Sequence, residues 1–270
     1  MRMQAWSPEV VRFMEDAGRF GTYFHVLADV ATRGLAPGAT VVDAGCGMGQ
    51  LSRAMLDRGM RVDAVDLSPK AVEYALAHPE TCAPVRMANF FESGFIPRGC
   101  DRIVFSLSAS WEDAFRIARE NGAQSVVAFN KIHRYPHAGL GGDECRPIIR
   151  SMERATRELE QLDYDCNAWD IVLDYGQPFR TLEDAQLYFR LFRTYRYPQG
   201  VTAGELRRIL KQTGDAEFPY YLPVLRHLAV FEMQLEPAFG SADAQLGREA
   251  FAALTRHSQR VRDMEQRAVI

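Results

Sequence analysis

Val41-Val42-Asp43-Ala44-Gly45-Cys46-Gly47-Met48-Gly49 is the stretch that decides the fold of this chain. The β-branched pair at its start predicts a strand, and the alternating glycines behind the acid predict a tight turn. A helical segment follows over residues 50–58 and ends at Gly59, and residues 61–65 predict a second short strand that leads to Asp66. This order of strand, glycine turn, helix, strand and acid is typical of one half of a doubly wound α/β sheet that binds a nucleotide.

The spacing of the glycines separates two classes of ligand. The dinucleotide fingerprint requires glycine or alanine three residues after its second glycine. With Gly45 and Gly47 in the first two places, the third place falls on Gln50, so the fingerprint is missed. Asp43 precedes the glycines, where a carboxylate would repel a phosphate and would suit a cationic ligand that carries an amino acid. Asp66, at the tip of the second strand, can accept hydrogen bonds from both hydroxyls of a ribose.

At residues 43–49 the chain resembles the class I S-adenosylmethionine-dependent methyltransferases, whose first motif runs acid-x-Gly-x-Gly-x-Gly. Asp66-Leu67-Ser68-Pro69 follows about one βα unit later and strengthens the resemblance, which extends over roughly residues 40–135. The resemblance implies an α/β fold with a doubly wound, mostly parallel seven-stranded sheet and an inserted helical lid. It also implies S-adenosyl-L-methionine as the cofactor and methyl transfer as the activity.

The resemblance further implies which residues bind the cofactor. Asn89, at the carboxyl end of the third predicted strand, would meet the adenine amino group, and Phe90 would lie on the adenine ring. Tyr23, in the second predicted helix, would lie over the cofactor. The alternative is that the Tyr23 ring only packs this helix against the sheet. The predicted cofactor-binding residues are Tyr23, Asp43, Ala44, Gly45, Cys46, Gly47, Gly49, Asp66, Leu67, Asn89, Phe90 and Ser106.

Catalysis of methyl transfer needs few groups. Transfer from a sulfonium is an in-line displacement, so much of the catalysis can come from holding the nucleophile and the methyl carbon in line. A general base is needed only where the nucleophile arrives protonated. The candidate bases are His133 and His137, with Tyr135 as their orienting hydrogen-bond partner, on the polar loop after the fifth predicted strand. A surface or capping role is the alternative for each of them.

The same loop carries residue types that could bind a metal, because Asp143, Glu144 and Cys145 follow the two histidines. The His-x-x-x-His spacing would place both imidazoles on one side only in a helix. Pro136 disfavours a helix there, because proline removes an amide donor and breaks the turn. The sequence therefore predicts no metal site.

Helical patterns after this loop predict a lid over the substrate. Residues 148–162 repeat apolar side chains at helical spacing, and a later predicted helix is rich in aromatic residues. An aromatic cover favours a flat or partly apolar acceptor. The predicted substrate-binding residues are Trp111, Tyr188 and Phe192, with packing as the alternative for Trp111.

The predicted domain organisation follows from these elements. It comprises N-terminal helices over the cofactor site at 1–34, a Rossmann-like cofactor-binding core at 35–136 and a helical lid and sixth-strand region at 137–215. The last sheet strand at 216–240 and a C-terminal helix at 241–270 follow. The last strand is predicted from the pattern at 222–233. Many small-molecule methyltransferases combine such a common cofactor half with a variable substrate cover.

Composition limits the partners. The 270 residues carry a formal net charge of −3, which creates no overall field for nucleic acid or an anionic membrane. No apolar stretch is long enough to span a bilayer, and the N-terminus lacks the apolar core of a signal peptide. The five cysteines are scattered along the sequence. Together these features favour a reduced, cytoplasmic protein. We therefore expect a small-molecule acceptor and no nucleic-acid or membrane partner. A homodimer through the C-terminal helix or the lid stays open.

The leading hypothesis is a methyltransferase that acts on an oxygen or nitrogen of a small molecule. The alternatives are a non-catalytic protein that senses the cofactor or serves as a partner subunit, and an NAD-dependent oxidoreductase. A methyltransferase acting on RNA or protein is disfavoured by the absence of a basic stripe. The segment after the fourth predicted strand also lacks the Asn/Asp-Pro-Pro-aromatic motif, which argues against N-methylation of DNA adenine or cytosine.

Overall fold

The computed structural model describes residues 7–79, 83–92, 100–131, 146–193, 197 and 199–235. Helices and strands alternate along most of this part of the chain. The helices are α1 (Pro8–Phe20), α2 (Tyr23–Thr32), α3 (Gln50–Leu56), α4 (Pro69–Ala77), α5 (Trp111–Glu120), α6 (Arg146–Glu160), α7 (Leu182–Phe192) and α8 (Ala203–Ile209). The strands are β1 (Thr40–Ala44), β2 (Arg61–Asp66), β3 (Val85–Met87), β4 (Arg102–Ser106), β5 (Ser125–Lys131), β6 (Cys166–Asp174), β7 (Gln177–Phe179), β8 (Lys211–Gln212), β9 (Tyr220–Leu222) and β10 (Leu225–Gln234).

The main sheet has seven strands in the order β3-β2-β1-β4-β5-β10-β6. Strands β1 to β5 pair in parallel, and β10 runs antiparallel to β5. The chain begins at the centre with β1, moves outward through β2 and β3, and then crosses back to β4, which is the doubly wound arrangement. The prediction of a doubly wound, mostly parallel seven-stranded sheet is confirmed.

The centre of this sheet is buried on both faces. Every residue from Ile103 to Phe105 in β4 and from Val126 to Phe129 in β5 is fully buried. Such continuous apolar runs are expected of parallel strands that are covered on both sides. Because β1 to β5 are parallel, their carboxyl ends meet at one edge, and the register places Ala44 beside both Val65 and Phe105. This edge positions the candidate site.

The chain folds as two compact units. One comprises the residues up to 27 together with residues 172–226, and the other comprises residues 28–171 together with those from 227 onward. The second unit contains β1 to β5 and most of β10. The first unit, which we call the aromatic unit, contains α1, α7, α8 and a three-stranded antiparallel sheet in the order β7-β9-β8.

Aromatic side chains fill the core of the aromatic unit. The Phe13 ring makes edge-to-face contacts with Phe179, Tyr188 and Phe192 at centroid distances of 6.2, 5.4 and 6.2 Å. A capping box begins α8, because the Thr202 hydroxyl accepts from the Glu205 amide while the Glu205 carboxylate accepts from the Thr202 amide. The lid role that the sequence suggested for α7 and α8 stays a prediction.

The last sheet strand begins three residues later than the sequence pattern suggested. It is β10, which begins at Leu225, whereas Leu222 is the last residue of β9. β9 belongs to the small sheet, where Tyr221 pairs with both Pro178 and Lys211. The small sheet was not predicted, because strands of two or three residues carry no recognisable alternation.

Candidate active site

The glycine turn lies between β1 and α3 and is held by backbone hydrogen bonds. Gly45, Gly47 and Gly49 have φ values of 78°, 58° and 78°, which is the left-handed region that glycine enters without penalty. The amides of Gly45 and Cys46 both donate to the Val65 carbonyl oxygen, at 2.8 and 3.0 Å. The turn is thereby fixed to the end of β2.

The glycines are needed for different reasons. A Cβ on Gly45 would lie 2.4 Å from the Ser108 Cβ, and one on Gly49 would lie 3.0 Å from the Ala83 carbonyl oxygen. Both of these glycines therefore permit internal packing. A Cβ on Gly47 would meet no atom within 4 Å. Of the three, Gly47 is thus the position where a ligand could lie directly against the backbone.

Asp66 at the end of β2 is bonded to this turn. Its Oδ2 accepts a hydrogen bond of 2.8 Å from the Gly47 amide, and its Oδ1 accepts one of 2.8 Å from the Ser68 amide. A carboxylate can accept about four hydrogen bonds, so each oxygen keeps acceptor capacity for a further donor. Asp66 is partly exposed, so that capacity can be reached from solvent.

Asp43, which precedes the glycines, lies beneath the turn. Its side chain is fully buried, and its Oδ2 accepts a hydrogen bond of 2.5 Å from the Ser52 hydroxyl. Its Oδ1 has no hydrogen-bond partner within the described part of the chain. Burial raises the pKa of Asp43 to about 7, with the Ser52 hydrogen bond opposing the rise and the negative charge of Asp66 adding to it. A cation near this group would therefore favour its ionised form.

The turn after β4 packs against the glycine turn. The Ser108 hydroxyl donates a 2.6 Å hydrogen bond to the Ala44 carbonyl oxygen. Ser106, a predicted cofactor-binding residue, is the last residue of β4 and is partly buried. Between them Leu107 has a φ of 62°, an uncommon conformation for a residue other than glycine. Sequence reasoning missed Ser108, whose importance arises only from its contact with β1.

The carboxyl ends of β2 and β3 present apolar side chains to solvent. Leu67 is 63% exposed, Met87 is 59% exposed and Phe91 is 49% exposed. Phe90 is instead buried, with its ring in edge-to-face contact with Phe105 at 5.5 Å. The exposed ring next to Asn89 is therefore Phe91, which sequence reasoning did not select.

Asn89 is engaged in local hydrogen bonds. Its Oδ1 accepts from the Phe91 amide at 3.1 Å, and its Nδ2 donates to Oε1 of Glu92 at 3.0 Å. The first of these contacts is a turn in which the side chain mimics the backbone. Asn89 remains partly exposed, and its predicted contact with adenine stays a prediction.

Trp111 begins α5 and is only 3% exposed. Its indole stacks on Phe231 at a centroid distance of 6.1 Å, and the Arg154 guanidinium lies 5.5 Å from the indole centroid. This is the packing arrangement that the sequence left open as the alternative to a pocket floor.

Three predicted site residues lie in the aromatic unit. Tyr188 and Phe192 contact each other at a centroid distance of 4.7 Å within its core, where both remain partly exposed. Tyr23 is buried beside Phe24 and Tyr175. The substrate role of the first pair and the cofactor role of Tyr23 stay predictions.

The candidate bases His133, Tyr135 and His137 lie outside the described residues, as do the Asp143–Cys145 cluster and the predicted C-terminal helix. Their roles stay predictions. In the part of the chain that the structure covers, no three His, Cys, Asp or Glu side chains are grouped so that they could hold a metal ion. Nor does any helix of that part have the length and apolar character needed to cross a bilayer.

Comparisons with known proteins agree with this geometry. The family described as "Methyltransferase domain" matches residues 41–129. The chain is 51% identical over 49 residues to ubiquinone biosynthesis O-methyltransferase of Xanthomonas campestris, covering 18% of this chain and 20% of that protein. It is 30% identical over 134 residues to malonyl-[acyl-carrier protein] O-methyltransferase of Serratia marcescens, covering 44% of this chain and 51% of the relative. The chain thus spans between a fifth and about half of the length of these curated relatives.

A solved structure of the 23S rRNA methyltransferase ErmE superposes with a TM-score of 0.47 at 13% identity, covering 88% of this chain and 74% of that one. The precorrin-6y C5,15-methyltransferase of Geobacter metallireducens superposes with a TM-score of 0.43 at 11% identity, covering 77% and 86%. The glycine turn and Asp66 lie within residues 41–129, the part of the chain that matches the methyltransferase domain. This match and the doubly wound strand order support the predicted class I S-adenosylmethionine-dependent methyltransferase.

Proposed function

We propose that this protein transfers the methyl group of S-adenosyl-L-methionine to an oxygen or nitrogen of a small-molecule acceptor. The observation that carries the proposal is the open space against Gly47, directly beside the partly exposed Asp66. A nucleoside can approach the backbone here, and its ribose hydroxyls can donate to the carboxylate.

The residues around the turn fit this cofactor. Gly47 offers a position without a side chain, Asp66 keeps acceptor capacity, and Asp43 holds an unpaired buried oxygen beneath the turn. Leu67 and Phe91 offer exposed apolar surface that an adenine ring could cover. When bound, S-adenosylmethionine would supply an electrophilic methyl group on a sulfonium centre.

The work of the protein chain would be to position the reactants. Asp66 and the glycine turn would fix the nucleoside, and the burial of Asp43 would favour a cationic ligand over a neutral one once the carboxyl is ionised. Holding nucleophile and methyl carbon in line can supply much of the rate enhancement. His133 and His137, with Tyr135, remain the proposed groups for removing a proton from the acceptor.

A small-molecule acceptor is supported by composition and by the relatives. The net charge of −3 gives no general attraction to nucleic acid. The names of both relatives describe O-methyltransferases, one of ubiquinone biosynthesis and one that acts on malonyl-[acyl-carrier protein]. The second relative shows that an acceptor carried on a protein belongs in any screen.

The proposal is tested by an acceptor screen with donor labelled in the methyl group. Wild-type protein should move label into at least one acceptor of the panel, and Asp66→Ala should do so far more slowly at a donor concentration that saturates the wild type. Donor binding without transfer to any acceptor would favour a non-catalytic sensor or partner subunit instead.

A further inference from the structure

Arg226, the second residue of β10, lies over two tyrosines of the aromatic unit. Its guanidinium carbon is 3.7 Å from the ring centroid of Tyr175 and 5.4 Å from that of Tyr23. The two tyrosine rings contact each other at 4.6 Å, and Phe24 lies 5.2 Å from Tyr23. We call Tyr23, Phe24, Tyr175 and Arg226 the Arg226 cluster.

Arg226 differs from Arg33 and Arg12, two other arginines that lie over aromatic rings. Arg33 lies 4.5 Å over Trp169 and is paired with Glu232 at 2.9 Å. Arg12 lies 4.7 Å over Phe13 and is paired with Asp184 at 2.7 Å. For Arg226, no carboxylate oxygen of the described residues lies within 4.0 Å. A partly buried guanidinium is therefore held by ring faces, and no carboxylate among the described residues neutralises it.

Tyr23 adds a buried hydroxyl that lacks a hydrogen-bond acceptor to the same cluster. Its side chain is only 4% exposed, and within the described part of the chain its hydroxyl has no acceptor for its own proton. Burial raises the pKa of this hydroxyl, whereas the positive charge of Arg226 and a hydrogen-bonding interaction with this arginine, which can only donate, oppose the rise. Near neutral pH the group is a neutral O–H that can donate a hydrogen bond, and a buried donor without an acceptor is costly.

The Arg226 guanidinium and the Tyr23 hydroxyl together favour a ligand that accepts hydrogen bonds and carries one negative charge. A guanidinium presents its donors as a planar fork that matches the two oxygens of a carboxylate. One arginine balances the single charge of a carboxylate. Phe24 and Tyr175 are partly exposed and supply ring surface for an apolar body attached to the carboxylate.

We propose that the Arg226 cluster binds the carboxylate of an aromatic or otherwise apolar carboxylic acid, with Arg226 as its counter-ion and the Tyr23 hydroxyl as a second donor. Tyr23 then has a different role from the cofactor contact predicted from the sequence.

The test measures direct binding of benzoate, cinnamate and 1-naphthoate to the full chain by ligand-observed NMR. The matching primary amides serve as neutral controls. The carboxylates should bind wild type and the amides should bind much more weakly. Arg226→Gln should weaken carboxylate binding by about tenfold or more, because the charged partner is lost. Tyr23→Phe should weaken it by about threefold to tenfold, because only one hydroxyl is removed.

Matched variants distinguish the loss of a ligand contact from the loss of the fold. Arg33→Gln removes another ring-stacked arginine, one that already has an acid partner, and should leave carboxylate binding unchanged. Arg226→Lys keeps the charge without the fork and should fall between wild type and Arg226→Gln. The thermal unfolding midpoint of each variant shows whether it is folded at the temperature of the titration.

Affinity for S-adenosylhomocysteine, measured on the same variants, separates the two proposals. Unchanged affinity for it in Arg226→Gln, with lost carboxylate binding, is the expected result. A loss of affinity for S-adenosylhomocysteine with retained benzoate binding would overturn the inference, because the arginine would then serve the donor. Equal binding of carboxylates by wild type and Arg226→Gln, or failure of all three to bind wild type, would also overturn it. If carboxylate binding depends on Arg226 but the protein does not bind S-adenosylhomocysteine, the proposed function is wrong and the carboxylate site stands.

Discussion

The amide of Gly47 donates a 2.8 Å hydrogen bond to Oδ2 of Asp66. This bond joins the two sequence motifs of the cofactor domain, which are separated by a helix along the chain. The glycine turn and the acid therefore form one structural unit, and a ligand lying against Gly47 is placed beside the carboxylate.

Asp66→Ala should weaken binding of S-adenosylhomocysteine by about 2–4 kcal/mol, because hydrogen bonds from two ribose hydroxyls to a charged acceptor are lost. This corresponds to roughly 30- to 1,000-fold in the dissociation constant, measurable by calorimetric titration. Asp63→Ala is the matched control, since Asp63 lies on the same strand and pairs with Arg86 at 2.7 Å on the surface. Wild-type affinity in Asp66→Ala would refute the ribose assignment.

Gly47→Val should abolish binding of S-adenosylhomocysteine, because its side chain would occupy the space where the ligand lies. The positive φ of 58° also imposes strain of about 1–2 kcal/mol on the folded state. Gly122→Val carries a similar strain, with a φ of 69° and no atom within 4 Å of a Cβ, at the turn before β5. Both variants should lose similar stability in urea unfolding, and only Gly47→Val should lose binding. A folded Gly47→Val protein with normal affinity would show that this glycine does not face the ligand.

Asp43 should make stability depend on pH. Its folded-state pKa is raised to about 7 by burial, whereas an aspartate in an unfolded chain titrates near 3.9. The folded state therefore binds more protons between these values, so stability falls as the pH rises from about 4 to about 7 and changes no further above that window. Relative to Asp43→Asn, the free energy of unfolding of wild type should fall by about 2–4 kcal/mol between about pH 4.5 and about pH 7.5.

Urea unfolding of both proteins across this range measures the difference. Asp29→Asn serves as the control, because the Asp29 side chain is 67% exposed and forms a surface pair with Arg58. Its profile should follow that of wild type. Parallel profiles for wild type and Asp43→Asn would mean that Asp43 stays ionised in the folded protein throughout the range.

Arg102 should be a major determinant of stability within the larger unit. Its buried guanidinium pairs with Glu232 at 3.2 Å and donates to the carbonyl oxygens of Ala31 and Arg33 at the end of α2. Arg102→Met should cost about 3–5 kcal/mol, because Glu232 and these carbonyls lose a buried partner. In the exposed pair, Arg86→Met should cost about 1 kcal/mol or less. Equal urea midpoints for the two variants would contradict this account.

The sequence allowed the predicted cofactor domain to be outlined because its signals are local. The glycines at 45, 47 and 49 and the apolar strands each act within a few residues. The same reasoning could not show that Asp43 is fully buried or that Phe91, not Phe90, is the exposed ring. Which of two adjacent rings faces the core depends on where the chain leaves the sheet, and local composition does not fix that.

The aromatic unit was the less predictable part of the fold. Its strands β7, β8 and β9 are two or three residues long and are defined by pairing partners distant in sequence. The Arg226 cluster was likewise invisible, because Tyr23 and Arg226 are brought together only by folding. An arginine in a strand gives no sign in the sequence of whether an acid will lie beside it.

The central claim is that the glycine turn and Asp66 bind the methyl donor, and calorimetric titration of the purified protein with S-adenosylhomocysteine tests it most directly, with NAD as the control ligand. We predict saturable binding of S-adenosylhomocysteine with a dissociation constant on the order of micromolar, about −8 kcal/mol, and no heat from NAD beyond dilution. Binding of NAD in place of S-adenosylhomocysteine would contradict the account.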